Sequence, residues 1–191
     1  TGDDDGEPRL PLSAVALWCA TGRGKTLGMH MNIRQFKWHH DRGHAAGKWP
    51  KLDQVILVTP NDGLSHQHAE ELKAAGFDVV SVGDAGVDGL FADQARKAIK
   101  VLSIHKFRDD HGKATVATDA FEGCNLVLVD EGHRGAGSGG EGAWLSRRNQ
   151  LAEGGFTFEY SATFKEAVVG DDAMRSQYAR SILFDYAYRS F

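Results

Sequence analysis

Two short segments carry residue types that could do chemistry together. The first is Thr21-Gly22-Arg23-Gly24-Lys25-Thr26. Its glycines let the backbone curl so that successive amides point inward at an anion, and a helix opening at its end adds a favourable dipole. Lys25 would bring a point charge to the β and γ phosphates of a nucleotide, and the Thr26 hydroxyl would ligate Mg2+. The strict form of such a phosphate loop has a glycine where this chain has Cys19. The second segment, Asp130-Glu131-Gly132-His133, closes an apolar run and offers two carboxylates. Asp130 would orient Mg2+, directly or through water, and Glu131 would position and deprotonate an attacking water. A glycine turn or a carboxylate pair is common alone; their combination points to hydrolysis of a nucleotide phosphate.

Such groups work only if a scaffold brings them to one edge. Apolar runs recur at Val15–Ala20, Val55–Thr59, Val79–Val82, Ile99–Ile104, Leu126–Asp130 and Phe156–Ser161. Several lack alternation, as in Val55-Ile56-Leu57-Val58, which is the pattern of strands covered on both faces in a parallel sheet. Helical stretches lie between them. Lys25–Trp38 places Leu27, Met31 and Trp38 near one face, with Met29, Ile33 and Phe36 beside it, and predicts a helix wedged against the sheet. Leu64–Ala75 puts Leu64, His68, Leu72 and Ala75 on one stripe, with Asn61 or Asp62 to cap it and Gly76 to end it. Residues 39–50 and the six-glycine stretch 132–142 read as loops. Asp171–Phe191 reads as helical and then strand-like at Ile182–Tyr186. Alternating strands and helices predict a three-layer α/β fold with a mostly parallel sheet.

Composition narrows the class. The chain has 191 residues, enough for one domain with a real core, and 41% hydrophobic against 25% charged residues, as in ordinary globular proteins. No apolar run approaches the ~18 residues of a membrane helix. A net charge of -4 argues against a strongly basic nucleic-acid module. Cys19 and Cys124 lie beside apolar runs and read as small buried residues of a reduced, intracellular protein. Residues 1–11, with Asp3-Asp4-Asp5, Pro8 and Pro11, read as a flexible lead-in to a domain over 12–191. A chain opening on Thr is expected to be a piece of something longer.

Thr21–Thr26, Asp130-Glu131-Gly132-His133 and Ser161-Ala162-Thr163 resemble motifs I, II and III of superfamily 2 helicases and translocases of the DExH group, in the order of a first RecA-like domain. Thr59-Pro60-Asn61 resembles motif Ia, which in that family touches the backbone of a nucleic-acid strand; a helix N-terminus is suited to a phosphate. Val101-Leu102-Ser103-Ile104-His105-Lys106-Phe107 and Phe158-Glu159-Tyr160-Ser161-Ala162-Thr163-Phe164 resemble the motor subunits of type III restriction enzymes and related phage-defence helicases, over roughly residues 14–165. The resemblance implies a RecA-like P-loop NTPase domain using ATP and Mg2+, with Thr21 to Thr26 around the phosphates. It implies that His133, Ser161, Ala162 and Thr163 couple nucleotide state to nucleic-acid grip. The implied partners are nucleic acid, DNA favoured, a second RecA-like domain, and nuclease or methylase subunits, with no membrane; the implied location is the cytoplasm. Replacing Lys25 by alanine is then expected to abolish Mg·ATP binding and to leave the fold intact.

The sequence departs from the family at three points. No Gln lies in the first 20 residues to read adenine, so ATP over GTP rests on the family. Arg23 stands where a small residue is usual. Nothing after Thr163 resembles the second RecA-like domain with its arginine, and Arg175 and Arg180 read as a solvated helix face. A non-enzymatic nucleotide- or nucleic-acid-binding module is therefore the alternative for this chain. His39, His40 and His44, and His66 with His68, lack metal-site spacing and read as loop or helix-surface residues.

Overall fold

Runs of β-branched and aliphatic residues become strands where the sequence places them. The computed structural model describes residues 13–19, 24–81, 88–92, 95–108, 116–131, 148–162 and 182–186. In chain order the elements are β1 (Ala14–Cys19), α1 (Lys25–Ala45), β2 (Gln54–Thr59), α2 (Asp62–Ala74), β3 (Val79–Ser81), β4 (Ile99–Ser103), β5 (Phe107–Arg108), β6 (Val116–Ala117), β7 (Asn125–Asp130), β8 (Phe156–Ser161) and β9 (Ile182–Tyr186). Seven of the strands form one sheet in the order β3-β4-β2-β7-β8-β1-β9. Every pairing in it is parallel, so all strand C-termini meet at one edge. β5 and β6 pair separately.

Both faces of this sheet are covered, which is why its central strands show no alternation. On one face Met29 and Ile33 of α1 and Ala69 and Leu72 of α2 pack on Val55, Leu57, Val101, Leu126, Leu128 and Tyr160. On the other, Ile56, Val58, Leu102, Val127 and Val129 meet Leu90, Ile104, Phe107, Phe121 and Leu151, carried by short turns and strands rather than long helices. Among the described residues the three layers are thus unequal, with the long helices α1 and α2 on the same side.

Three sequence expectations need correction. α1 does not stop near Trp38 but runs to Ala45, so residues 39–45 are helix, not loop. His40 faces inward, stacked on Phe36 at 5.5 Å and lying 5.7 Å from the Trp49 ring. The Trp49 ring also lies so close to Gly43 that a Cβ there would collide with it. These contacts offset the ~1 kcal/mol that a glycine costs inside a helix. Second, Leu27, Met31 and Trp38 are exposed; the buried side of α1 is the set Met29, Ile33, His40 and Gly43. Third, Cys19 and Cys124 are half-buried rather than core residues, both free thiols, and burial pushes both pKa values up.

Both helices end in the same way. Gly47 and Gly76 have φ of 68° and 80°, and the paired returns Lys48 N–H to Gly43 O and Gly47 N–H to His44 O repeat as Phe77 N–H to Leu72 O and Gly76 N–H to Lys73 O. These satisfy the last carbonyls, and at α2 they fold Phe77 onto the face that Leu72 fills. Of the two caps the sequence offers, Asn61 is the one that caps α2, its Oδ1 accepting from Leu64 N–H at 2.9 Å. No helix among the described residues is long and apolar enough to cross a membrane.

Candidate active site

The C-terminal edge of the sheet gathers groups from three strands and two helices. α1 opens at Lys25 directly after Gly24, whose φ of 81° is the left-handed conformation that glycine adopts without penalty. No side chain caps this end and no acidic residue lies in its first turn. Its amides therefore keep their capacity to bind an anion. Thr26 follows, half-buried. Thr21, Gly22 and Arg23 lie outside the described residues, as do the 1–11 lead-in, the 132–142 loop and the 171–181 segment.

β7 delivers the acids. Asp130 is its last residue, buried, and Glu131 follows with φ of 51°, an unusual conformation for a side-chain-bearing residue. The bend is fixed by a ladder bond from Glu131 N–H to Tyr160 O at 2.8 Å. Lys25 Nζ reaches across to both acids, 2.7 Å from Asp130 Oδ1 and 2.5 Å from Glu131 Oε1. The second Glu131 oxygen accepts from Ser161 Oγ at 3.1 Å. β8 lies between β7 and β1, so Ser161 at its tip stands between the strand that carries the carboxylates and β1. Ala162 follows it; Thr163 and His133 lie outside the described residues.

Charge on these groups is strongly coupled. Burial alone would drive the Lys25 ammonium toward neutrality, but Asp130 and Glu131 outweigh it and its pKa is raised. Burial likewise favours the neutral acid at Asp130, yet the hydrogen bond from His68 and the charge of Lys25 hold its carboxyl below the ordinary value. Tyr160 is pushed upward by burial; its hydroxyl accepts from Asn32 Nδ2 at 2.7 Å and so ties α1 to β8.

His68 was missed by the sequence reading as a site residue. It is not on the helix surface but 3% exposed, with Nε2 2.9 Å from Asp130 Oδ2. The signal was its position on the same stripe as Leu64 and Leu72. The Thr59-Pro60-Asn61 segment also sits at this edge, where β2 turns into α2. Thr59 is buried and its hydroxyl donates to Asn61 O at 2.9 Å and lies 2.6 Å from Ser65 Oγ, so that side chain is committed to building the turn. Asn61 and Gly63 are exposed there. Asp62, next to them, accepts from Ser103 Oγ at 2.5 Å and pairs with Lys106 Nζ at 3.2 Å.

The fold has counterparts among known proteins. The fold matches the UvsW helicase of bacteriophage T4 with a TM-score of 0.53 at 14% identity, over 92% of this chain and 54% of that one. It matches S. cerevisiae Dbp5 bound to RNA and ADP BeF3 with a TM-score of 0.51 at 16% identity, over 94% of this chain and 42% of that one. The chain therefore has the RecA-like fold of helicase domains and spans about half the length of these structures. No curated protein matches it significantly in sequence. Residues 12–166 match the family described as "Type III restriction enzyme, res subunit". The chain belongs to that family.

Proposed function

We propose that this chain is the first RecA-like, nucleotide-hydrolysing half of an ATP-driven helicase or translocase acting on nucleic acid, DNA favoured, in the cytoplasm. The observation that carries the reading is the convergence of Lys25, Asp130, Glu131 and Ser161 behind an uncapped helix start. The donor set fits Mg2+: Asp130 Oδ1 is a buried carboxylate oxygen already facing a cation, the Lys25 ammonium at 2.7 Å, and Thr26 adds a hydroxyl, both hard oxygens. Thr26 and Asp130 would hold the ion, which would neutralise charge on the phosphates of ATP. The Lys25 ammonium would pass from the carboxylates to the phosphates, and the Gly24 turn with the α1 amides would fix their position, alongside Thr21, Gly22 and Arg23. Release of Glu131 from Lys25 frees its oxygen to accept a proton from the attacking water, while Ser161 keeps the carboxylate oriented. Ala162, Thr163 and His133 would complete the link to nucleic-acid grip. The α2 start at Pro60 and Asn61 would take a strand phosphate on exposed backbone, with Thr59 supporting the turn from below. A second RecA-like domain would face this edge and supply an arginine to the γ-phosphate. Membership of the restriction-enzyme family supports restriction or phage defence as the setting, beside nuclease or methylase subunits.

The test compares ATP binding and phosphate release for wild type and Glu131→Gln, with and without DNA. The variant should bind Mg·ATP as wild type does and lose about 10²–10⁴-fold in hydrolysis, because the amide cannot accept the proton. Equal single-turnover rates would remove Glu131 from the chemistry. Binding of Mg·ATP without turnover by wild type, even with the longer protein's second domain supplied, would favour the non-enzymatic binding module.

A further inference from the structure

The buried imidazole of His68 lies outside the motifs described so far. α2 packs it against the sheet at 3% exposure, and its Nε2 meets Asp130 Oδ2 at 2.9 Å. The other Asp130 oxygen, Oδ1, faces Lys25 Nζ. Each oxygen of the carboxylate thus has a different partner. On the far side of the ring, His68 Nδ1 lies 4.0 Å from Glu71 Oε2, and Glu71 is itself held by Gln67 through Oε1 at 2.8 Å.

We propose that His68 is a positioning residue for Asp130, holding Oδ2 so that Oδ1 alone is presented to the cation of the bound nucleotide. The physical reason is rotational. A buried carboxylate with no donor on Oδ2 turns about its Cβ–Cγ bond and offers both oxygens to the Lys25 ammonium, the strongest donor within reach. The oxygen pair is then no longer aimed at the ion. Partners one bond removed from a metal ligand commonly change metal affinity or activity by about 10–100-fold. The inference rests on the nucleotide-site reading above and extends it to α2, the helix that begins at the Pro60-Asn61 edge. One element would then carry both the strand footing and the brace of the metal-binding acid.

The experiment is an ATP titration by calorimetry across a Mg2+ series, and again in EDTA, on wild type, His68→Leu and His68→Gln. Leu keeps the apolar stripe but donates nothing; Gln places an amide donor near the position of Nε2. Expected is a tenfold or greater rise in the Mg2+ concentration for half-maximal ATP binding in His68→Leu, with recovery to within threefold in His68→Gln and metal-free binding unchanged in both. A second readout needs no substitution: 15N spectra of histidine-labelled wild type should show a proton on His68 Nε2. Equal Mg2+ dependence in wild type and His68→Leu would overturn the proposal and leave the nucleotide site standing. If His68→Leu does not fold, a bare Nε2 in wild type would overturn it instead. Failure of wild type to bind ATP at all would remove the nucleotide site and this inference together.

Discussion

Removing the Lys25 ammonium should cost stability as well as nucleotide binding, contrary to what the sequence alone implies. Lys25→Met keeps the aliphatic stem and the helix propensity but deletes the charge between Asp130 and Glu131. At 2.7 Å and an effective dielectric near 20, one such contact is worth roughly 6 kcal/mol before desolvation is counted. Most of that is offset, and breaking one partner out of a buried pair nets about 3–5 kcal/mol. Side-chain exposure is 19% for Lys25 and 13% for Glu131 against 4% for Asp130. Water therefore reaches one side, and the expected loss falls to ~2–4 kcal/mol. For a chain of this size that is a drop of roughly 5–15 °C in Tm. The pH dependence gives a second check. In wild type the raised Lys25 and lowered Asp130 pKa values make the pair's contribution constant from above the unfolded carboxylate value to below the unfolded lysine value. It is lost in acid as Asp130 protonates and in strong base as Lys25 loses its proton. In Lys25→Met, Asp130 keeps the burial that raises its pKa and loses the cation that lowers it, so it holds a proton more tightly than in wild type and the variant gains less stability as pH rises. The gap between wild type and variant should widen from about pH 4 toward pH 7 and then level off. Urea unfolding followed by far-UV circular dichroism measures it. A gap under ~0.5 kcal/mol that does not change with pH would refute the reasoning.

Arg148→Met should destabilise by about 3–5 kcal/mol, because it leaves Glu159 buried in the sheet without the guanidinium it now meets; Arg148→Met with Glu159→Gln should recover part of the loss in denaturant midpoint. Gly155→Ala should cost about 1–3 kcal/mol, since a Cβ there runs into the Asn125 backbone where β7 begins beside β8; a thermal melt within 1 °C of wild type would show that β7 and β8 sit further apart, as roughly 2–4 °C is expected per kcal/mol. Asn61→Ala should lose about 0.5–2 kcal/mol through the α2 cap, and Asn61→Ser should restore most of it.

The strands were readable because their reason is local. Val55-Ile56-Leu57-Val58 and Leu126-Val127-Leu128-Val129 have apolar side chains on both faces, and only a doubly covered sheet accepts that. The α2 boundaries were readable for the same reason, with Asn61 and Gly76 marking its two ends. α1 was not, since what carries it past Trp38 is Trp49 lying on Gly43 and His40, a contact made after the chain has turned. Exposure of Leu27, Met31 and Trp38 is equally invisible to periodicity, because one helix offered two apolar stripes and the sheet took the other. At the site, the spacing of Lys25, Asp130, Glu131 and Ser161 pointed to one edge, and the structure brings them there. The brace on Asp130 was hidden because His68 gains its partner from a strand far along the chain. Thr59 shows the converse: a residue assigned outward by resemblance has its hydroxyl turned into the fold.

The place of β1 in the sheet also sets a timetable for synthesis. β1 and the phosphate loop leave the ribosome early, yet both neighbours of β1 come from residues 156–161 and 182–186. Until those emerge, β1 is an apolar strand with two unpaired edges, open to wrong partners or to a chaperone. β2, β4 and β7 can pair among themselves sooner. The side of the sheet around β1, beside the proposed nucleotide site, is therefore the last part to close, and this domain should fold slowly for its size because its defining contacts span most of its length.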